Sequence, residues 1–323
     1  MTDLPYINKK SVTELLPMKE CIPLMEQMFR SLGSGQCLQP LRSLMWLPDK
    51  TGILGMMPGY AEELGVMGIK VISVFHHNLA MGIPSHQGVV MLFDAKQGQP
   101  LISIDASEIT AIRTAAASAV ATKYLARENA ESLAMIGSGE QARRHIEAML
   151  LVRKIKTLYI WSRNPDHANA LGREVAEKYK VNVMISPTVK EAVSAADIIC
   201  TVTSSPEPLV LGDWLSRGAH INAVGSSIAR TRELDSNAVL KSSLYTDCYD
   251  SLFHEAGDFL IPLQEGFITN EHVQGEIGEV ILQKKKGRKD DKEITLYKSL
   301  GIAAEDIFSA WHIYKKFVEG NPK

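Results

Sequence analysis

Apolar residues in the N-terminal part of the chain follow first a helical and then a strand-like spacing. Residues 11–32 place apolar side chains at helical intervals. Runs rich in branched residues, separated by turn residues, predict strands of one sheet at 52–57, 67–75 and 88–93. The alanine-rich stretch 107–125 has strong helix propensity, so it predicts a helix that leads into a second domain.

After Asn129 the pattern changes to alternating strands and helices. The predicted strands cover residues 132–136, 157–161, 181–185, 197–203 and 219–224. The predicted helices run to about residue 153, from 166 to 179, and from 188 to 195. This βαβαβ order predicts a parallel sheet with right-handed crossovers, so we expect an α/β fold whose Rossmann doubly wound sheet occupies residues 126–299.

Composition and charge narrow the kind of partner. A net charge of −2 gives no basic footprint, which argues against nucleic acid and favours a small-molecule ligand. The four cysteines form no C-x-x-C pair, so we expect neither a disulfide framework nor a structural metal. The sequence contains no signal-peptide pattern and no apolar stretch approaching the roughly 20 residues of a membrane span, so we expect a cytoplasmic protein with no membrane partner.

A glycine-rich turn follows the first strand of the second domain. Gly137-Ser138-Gly139-Glu140-Gln141-Ala142 joins a predicted strand to a predicted helix, the context in which this spacing indicates a dinucleotide site. Gly137 permits a tight turn, Gly139 allows close approach of a pyrophosphate, and Ala142 keeps the helix near the strand. The free N–H groups of the helix would then face the anion.

The end of the next predicted strand indicates which dinucleotide binds. It carries no carboxylate for an adenosine ribose, but Ser162, Arg163 and Asn164 instead. A guanidinium can pair with a 2′-phosphate, and the two polar neighbours can donate hydrogen bonds, so we predict NADPH, with NADH possible. The alternative for Arg163 is an ordinary surface arginine.

Three cations of the first domain stand in unusual surroundings. Arg42 follows Gln39-Pro-Leu, Lys70 interrupts an apolar strand, and Arg113 lies in the alanine-rich segment. Half-buried cations need partners, and a substrate carboxylate would satisfy a guanidinium bidentately. From spacing alone, internal salt bridges explain these residues equally well.

These residues belong to a set of motifs that resembles the ornithine cyclodeaminase and mu-crystallin family over essentially the whole chain. The matching segments are residues 39–42, 55–60, 70, 84–87, 113–116, 137–141, 218–225 and 298–306. The resemblance implies a homodimer. It also implies an α+β substrate-binding and dimerisation domain, built from residues 1–125 and 300–323, beside the Rossmann domain.

The resemblance further implies roles for individual residues. Arg42, Lys70 and Arg113 correspond to carboxylate-binding, catalytic cations. Thr114, next to Arg113, would lie beside the cofactor phosphates, and Ser85 and His86 near the nicotinamide. A histidine satisfied inside the core is the alternative for His86. Further implied contacts to the cofactor come from Thr201, Thr203, Val224 and Ser299, and to the substrate from Ser227.

One departure from the family pattern separates its branches. Ornithine cyclodeaminases carry an acidic residue where this chain has Ser227, and a hydroxyl without an adjacent base replaces that group poorly. Ketimine reductases resembling mu-crystallin carry serine. We therefore expect an NADPH-dependent ketimine reductase that converts Δ1-pyrroline-2-carboxylate or Δ1-piperideine-2-carboxylate to L-proline or L-pipecolate.

Three alternatives and one mechanistic choice stay open at this point. The alternatives are an ornithine cyclodeaminase, an amino acid dehydrogenase of the alanine dehydrogenase type, and a non-catalytic crystallin-like ligand-binding protein. For the reductase, the imine nitrogen needs a proton source. The sequence offers Lys70, or His86 directly or through water.

Overall fold

The structure, a computed structural model, describes residues 4–320, which form two compact units. The first unit comprises the chain up to Thr114 and the segment from Ile302 onward, and the second comprises Ala115–Gly301. The division falls inside a helix that ends at Leu125, the residue at which we placed the domain boundary. No helix within the described range is long and apolar enough to cross a membrane.

The strands and helices are numbered in chain order. The strands are β1 (Tyr6–Ile7), β2 (Cys37–Leu38), β3 (Ser43–Trp46), β4 (Ile53–Ala61), β5 (Val66–Val74), β6 (His86–Asp94), β7 (Pro100–Asp105), β8 (Ser132–Ile136), β9 (Thr157–Trp161), β10 (Asn182–Ile185), β11 (Ile198–Thr201), β12 (His220–Ala223), β13 (Ser242–Thr246), β14 (Val273–Glu276) and β15 (Ile294–Lys298). The helices are α1 (Lys9–Leu15), α2 (Met18–Gly33), α3 (Ala106–Leu125), α4 (Glu140–Val152), α5 (Pro165–Lys178), α6 (Val189–Ser194), α7 (Ser236–Leu240), α8 (Tyr249–Glu255), α9 (Gly257–Gln264), α10 (Ile277–Ile281) and α11 (Ala303–Gly320).

The first unit is a seven-stranded sheet with helices packed on it. The strand order is β1-β7-β6-β5-β4-β2, with β3 paired to β4, and every pair except β1–β7 is antiparallel. Helix α11 packs against β4, β5, β6 and α2. The three predicted strand runs therefore lie next to one another in one sheet, as expected. Burial alternates along each of these strands, so one face of the sheet is turned toward the helices.

The second unit is built on an eight-stranded, fully parallel sheet. Its order is β10-β9-β8-β11-β12-β15-β13-β14, so the chain extends the sheet from β8 first on one side and then on the other. All residues of β11 and β12 are buried, as in a sheet covered on both faces. The predicted α/β fold with a doubly wound parallel sheet is confirmed.

Strands β8 and β9 lie at the predicted residues, whereas β13, β14 and β15 were not predicted. Their sequences contain polar residues that the fold buries, including Ser242, Thr246 and Thr295. Such polar residues interrupt the continuous apolar run from which a buried strand is predicted. Strand β15 pairs between β12 and β13, so the last strand in the sequence lies inside the sheet rather than at its edge.

Candidate active site

The glycine-rich turn of the second unit has the geometry that a bound pyrophosphate requires. Gly137 has φ +126°, and a Cβ at this position would lie 3.0 Å from the Val202 carbonyl oxygen, so both conformation and space require glycine. Gly139 is the N-cap of α4 without a side-chain hydrogen bond, and within the described residues a Cβ there would meet no atom within 4 Å. The first N–H groups of α4 therefore open onto free space.

The end of β9 meets this turn through two predicted residues. The hydroxyl oxygens of Ser138 and Ser162 are 2.8 Å apart. Arg163 is exposed beside them. The Asn164 side-chain oxygen accepts a hydrogen bond from the Asp166 amide and so caps α5. The Ser162 hydroxyl and the Asn164 side-chain oxygen therefore have structural partners, and the role of Arg163 toward a 2′-phosphate stays a prediction.

The other half of the same sheet edge brings together the residues predicted after β11 and β12. The amide of Val224 donates to the Thr201 carbonyl oxygen at 3.0 Å, so the two segments run side by side. Thr201 and Thr203 both donate their hydroxyls to the buried carboxylate of Glu233. The Ser299 hydroxyl is buried and has no hydrogen-bond partner within residues 4–320. Ser227 is half-buried on the segment that follows β12.

In the first unit, two predicted cations share one buried carboxylate. Lys70 Nζ on β5 lies 2.6 Å from Asp306 Oδ2, and Arg113 Nε on α3 lies 3.0 Å from Asp306 Oδ1. Arg113 also pairs with Glu305 through Nη1. All four side chains are at least 96% buried. The internal salt bridges that spacing left open are therefore present, which does not exclude a further anion at the same cluster.

Burial and charge set the protonation of this cluster. Burial lowers the pKa of Lys70 to about 8, with Asp306 opposing the shift and Arg113 and Arg42 adding to it. Burial acts against ionisation of Asp306, but the neighbouring Arg113 and Lys70 hold the pKa of this carboxyl below its usual value. The influence of Arg42 on Lys70 places this half-buried arginine near the cluster.

His86 lies away from that cluster, at the start of β6. Its ring is exposed, and Nδ1 lies 2.9 Å from the Ser85 hydroxyl oxygen, so it is not a histidine satisfied inside the core. His86 pairs in register with Val74, four residues beyond Lys70 on β5. At about 3.4 Å per residue, the backbones of Lys70 and His86 are roughly 14 Å apart along the ladder.

The remaining predicted positions occupy ordinary surroundings. Glu140 pairs with Arg144 on the outer turn of α4 at 3.4 Å, and the Gln141 carbonyl oxygen lies 2.8 Å from His145 Nδ1. Thr114 is buried next to Arg113. Within residues 4–320, no group of three or more His, Cys, Asp or Glu side chains could hold a metal. The cofactor and substrate roles of all these residues stay predictions.

The sequence analysis assigned no role to four buried acidic residues. Glu233, Asp258, Glu305 and Asp306 received no role, although each is at least 99% buried. The available signal was an acidic pair inside the segment Ala303-Ala304-Glu305-Asp306-Ile307, since a carboxylate among apolar residues needs a buried partner.

The sheet order and the glycine-rich edge define a Rossmann-type protein that uses a pyridine dinucleotide. The chain belongs to the ornithine cyclodeaminase/mu-crystallin family, whose model matches residues 6–321. The family predicted from the sequence motifs is therefore confirmed.

Relatives match this chain nearly end to end. It is 34% identical over 314 residues to a Δ1-pyrroline-2-carboxylate reductase of Bacillus cereus, covering 97% of this chain and 96% of that protein. It is 34% identical over 286 residues to the ketimine reductase mu-crystallin of Rattus norvegicus, covering 88% and 87%. The structure of Thermococcus litoralis Δ1-pyrroline-2-carboxylate reductase in complex with NADH and L-proline has a TM-score of 0.96 and 36% identity, covering 98% of both chains.

Proposed function

We propose that the protein is an NADPH-dependent ketimine reductase that converts cyclic 2-imino acids, such as Δ1-pyrroline-2-carboxylate and Δ1-piperideine-2-carboxylate, to L-proline and L-pipecolate. The observation that carries the proposal is the buried cluster in which Lys70 and Arg113 both pair with Asp306. Relatives named as reductases of such a compound match the chain over almost its whole length.

The substrate carboxylate is assigned to the cations of the first unit. Lys70 and Arg113 pair with the two carboxylates Glu305 and Asp306, and Arg42 is a third positive charge, which acts on Lys70. An excess of positive charge favours an anionic ligand, and a guanidinium fork holds a carboxylate in a fixed orientation. Orientation of the reacting carbon is the main contribution that we assign to these residues.

Lys70 is the better proton source for the imine nitrogen. Its pKa of about 8 leaves the ammonium protonated near neutral pH, yet able to release a proton. The backbone of His86 lies roughly 14 Å from that of Lys70 along the ladder. A small substrate could therefore contact both residues only if both side chains extended toward it. When bound, the dinucleotide supplies the hydride.

Selection of NADPH is assigned to Arg163, with Ser162 and Asn164 completing the surface. Ser162 contacts the Ser138 hydroxyl and Asn164 caps α5, so both residues hold this segment in place. Arg163 between them is exposed. NADH is the possible second cofactor, and it is the one bound in the Thermococcus litoralis relative.

We also propose that the protein is a homodimer formed through the sheet of the first unit. Residues that alternate along β5 and its neighbour β6 turn apolar side chains away from the α11 side, and these are only half-buried or exposed: Met67, Ile69, Val71, Val89, Met91 and Phe93. Apolar sheet faces of this kind are typical of subunit contacts. Residence in the cytoplasm stays a prediction.

The proposal is tested by following NADPH oxidation with each cyclic imine and with pyruvate plus ammonia. Release of ammonia and proline from L-ornithine is followed in the presence of NAD, which a cyclodeaminase uses without net reduction. Turnover confined to the cyclic imines supports the reductase. Turnover confined to pyruvate plus ammonia or to ornithine moves the protein to the dehydrogenase or cyclodeaminase alternative. NADPH binding without any turnover favours the ligand-binding alternative.

A matched pair of variants tests the carboxylate site. Arg42→Ala removes the half-buried cation near Lys70, and we expect KM for the imine to rise at least tenfold. Arg30→Ala removes an arginine of the same unit whose ion pair with Glu26 is exposed, and should leave KM unchanged. Equal effects of the two substitutions would remove Arg42 from the substrate site.

A further inference from the structure

The carboxylate of Glu233 joins the two chain segments that leave β11 and β12. Oε2 accepts hydrogen bonds from the Thr201 hydroxyl and the Gly225 amide, and Oε1 from the amide and hydroxyl of Thr203, all at 2.7 Å. A carboxylate has about four lone-pair sites, so every one is used. The side chain is fully buried.

Two more buried charged residues, Asp258 and Lys298, bind the same part of the chain. The amides of Glu233 and Leu234 donate to Asp258 Oδ1 at 2.8 and 3.0 Å, and Asp258 Oδ2 lies 3.0 Å from Lys298 Nζ. Lys298 in turn donates to the carbonyl oxygens of Ala223 and Ser226, which lie two residues before and one residue after Gly225. We call Glu233, Asp258 and Lys298 the Glu233 network. It holds the segment after β12 from two directions.

Gly225 shows how tightly the two segments are joined. A Cβ at this position would lie 2.1 Å from the Thr203 carbonyl oxygen and 2.5 Å from Glu233 Oε1, so backbone packs on backbone without room for a side chain. The position of residues 224–227 is therefore fixed by the position of residues 201–203, and Glu233 is the group that bonds to both.

These segments lie where the nicotinamide half of a dinucleotide belongs. In a doubly wound sheet the dinucleotide lies across the carboxyl ends of the strands at the point where the strand order reverses. Here that point is between β8 and β11. Because Ser162–Asn164 follow β9, on the adenosine side, the nicotinamide half falls over the ends of β11 and β12.

We propose that Glu233 is a positioning residue for the nicotinamide ring: it fixes the backbone of residues 201–203 and 224–227, against which the ring lies, without touching the cofactor. The inference rests on the dinucleotide-binding part of the proposed function. Glu233 cannot act as a proton acceptor for a substrate, because it is buried and its four acceptor sites are occupied.

The test is Glu233→Gln in the full-length protein, with Glu207→Gln as the control. Glutamine keeps the shape but presents an NH₂ group to two of the four donors. Glu207 is an exposed glutamate on the connection that follows β11. The ligands are NADPH or NADH, whichever binds the unmodified protein more tightly, and the matching ADP-ribose, which lacks nicotinamide.

We expect the ADP-ribose Kd of Glu233→Gln to change less than twofold, while the fluorescence of the bound dihydronicotinamide moves toward that of the free cofactor. The rate of hydride transfer to an imine should fall at least tenfold, because small displacements of reacting groups cost this much. Glu207→Gln should match the unmodified protein. If Glu233→Gln does not fold, Thr201→Val, which removes one of the four donors without changing side-chain size, should shift the fluorescence in the same direction.

Other results overturn the inference. Unchanged nicotinamide fluorescence in both Glu233→Gln and Thr201→Val would show that the segments hold the ring without this carboxylate. A parallel loss of ADP-ribose affinity and nicotinamide fluorescence would make Glu233 a general structural residue. The fluorescence readout needs no turnover, so it tests the inference even if no imine is reduced. Absence of binding of either dinucleotide would overturn both the inference and the proposed function.

Discussion

Replacing Asp306 by asparagine removes the charge that Lys70 and Arg113 share while keeping the size of the side chain. The carboxylate lies 2.6 Å from Lys70 Nζ and 3.0 Å from Arg113 Nε, and all three of these side chains are at least 96% buried. Glu305 still pairs with Arg113 in the variant. The uncompensated charge therefore falls mainly on Lys70.

The expected loss of unfolding free energy follows from this burial. Removing one partner of a buried ion pair costs about 3–5 kcal/mol, because the other charge stays without compensation in a poorly solvated place. That is a large part of the roughly 5–15 kcal/mol that stabilises a typical protein. We expect Asp306→Asn to lose an amount in this range at pH 6, where Lys70 is protonated.

The loss should depend on pH in a defined direction. Burial lowers the pKa of Lys70 to about 8 in the native protein, and loss of the opposing Asp306 charge lowers it further. A folded-state pKa below the unfolded value means that the unfolded chain binds more protons, so stability rises with pH. In the variant this rise begins at lower pH, so its deficit should shrink as the pH is raised from 6 to 8.

The assay is equilibrium unfolding in urea at pH 6 and pH 8, with Glu20→Gln as the matched control. Glu20 also bridges two basic groups of α11, Lys316 at 2.5 Å and His312 at 3.0 Å, but its side chain is 44% exposed. An exposed ion pair contributes about 0–1 kcal/mol. Equal losses in the two variants, or an Asp306→Asn deficit that grows with pH, would refute this account of the cluster.

Three further outcomes are expected. In steady-state kinetics, kcat/KM for imine reduction should fall as the pH rises through about 8, where Lys70 loses its proton. This fall should occur at lower pH in Asp306→Asn. If it occurs at the same pH in the variant, Lys70 is not the proton donor. Arg163→Ala should lower kcat/KM for NADPH at least tenfold and leave NADH nearly unchanged, and an unaltered ratio of the two would contradict the cofactor assignment. Gly137→Ala places a Cβ 3.0 Å from the Val202 carbonyl oxygen at φ +126°. Thermal unfolding should therefore show about 1–3 kcal/mol of destabilisation, and titration should show weaker dinucleotide binding. Unchanged values would mean that the turn relaxes to accept the side chain.

The sequence determined the parts of the protein that depend on neighbouring residues. Strands β8 and β9 lie at the predicted residues, because a buried parallel strand is a short apolar run and each is bounded by polar or glycine residues. The turn at Gly137 could also be predicted from the sequence, because φ +126° and close packing at this one position require glycine. The doubly wound sheet followed from the alternation of these local elements.

Only the tertiary structure decided how the buried charges are paired. Arg113 and Asp306 are 193 residues apart in the chain, and nothing in their local spacing distinguishes a substrate-binding arginine from one that forms a salt bridge. Likewise, Glu233 acquires its four donors only when β11 and β12 become neighbours in the sheet. A charge is stabilised by whichever groups the fold brings within a few ångströms, and that distance is not encoded in the residues on either side of it.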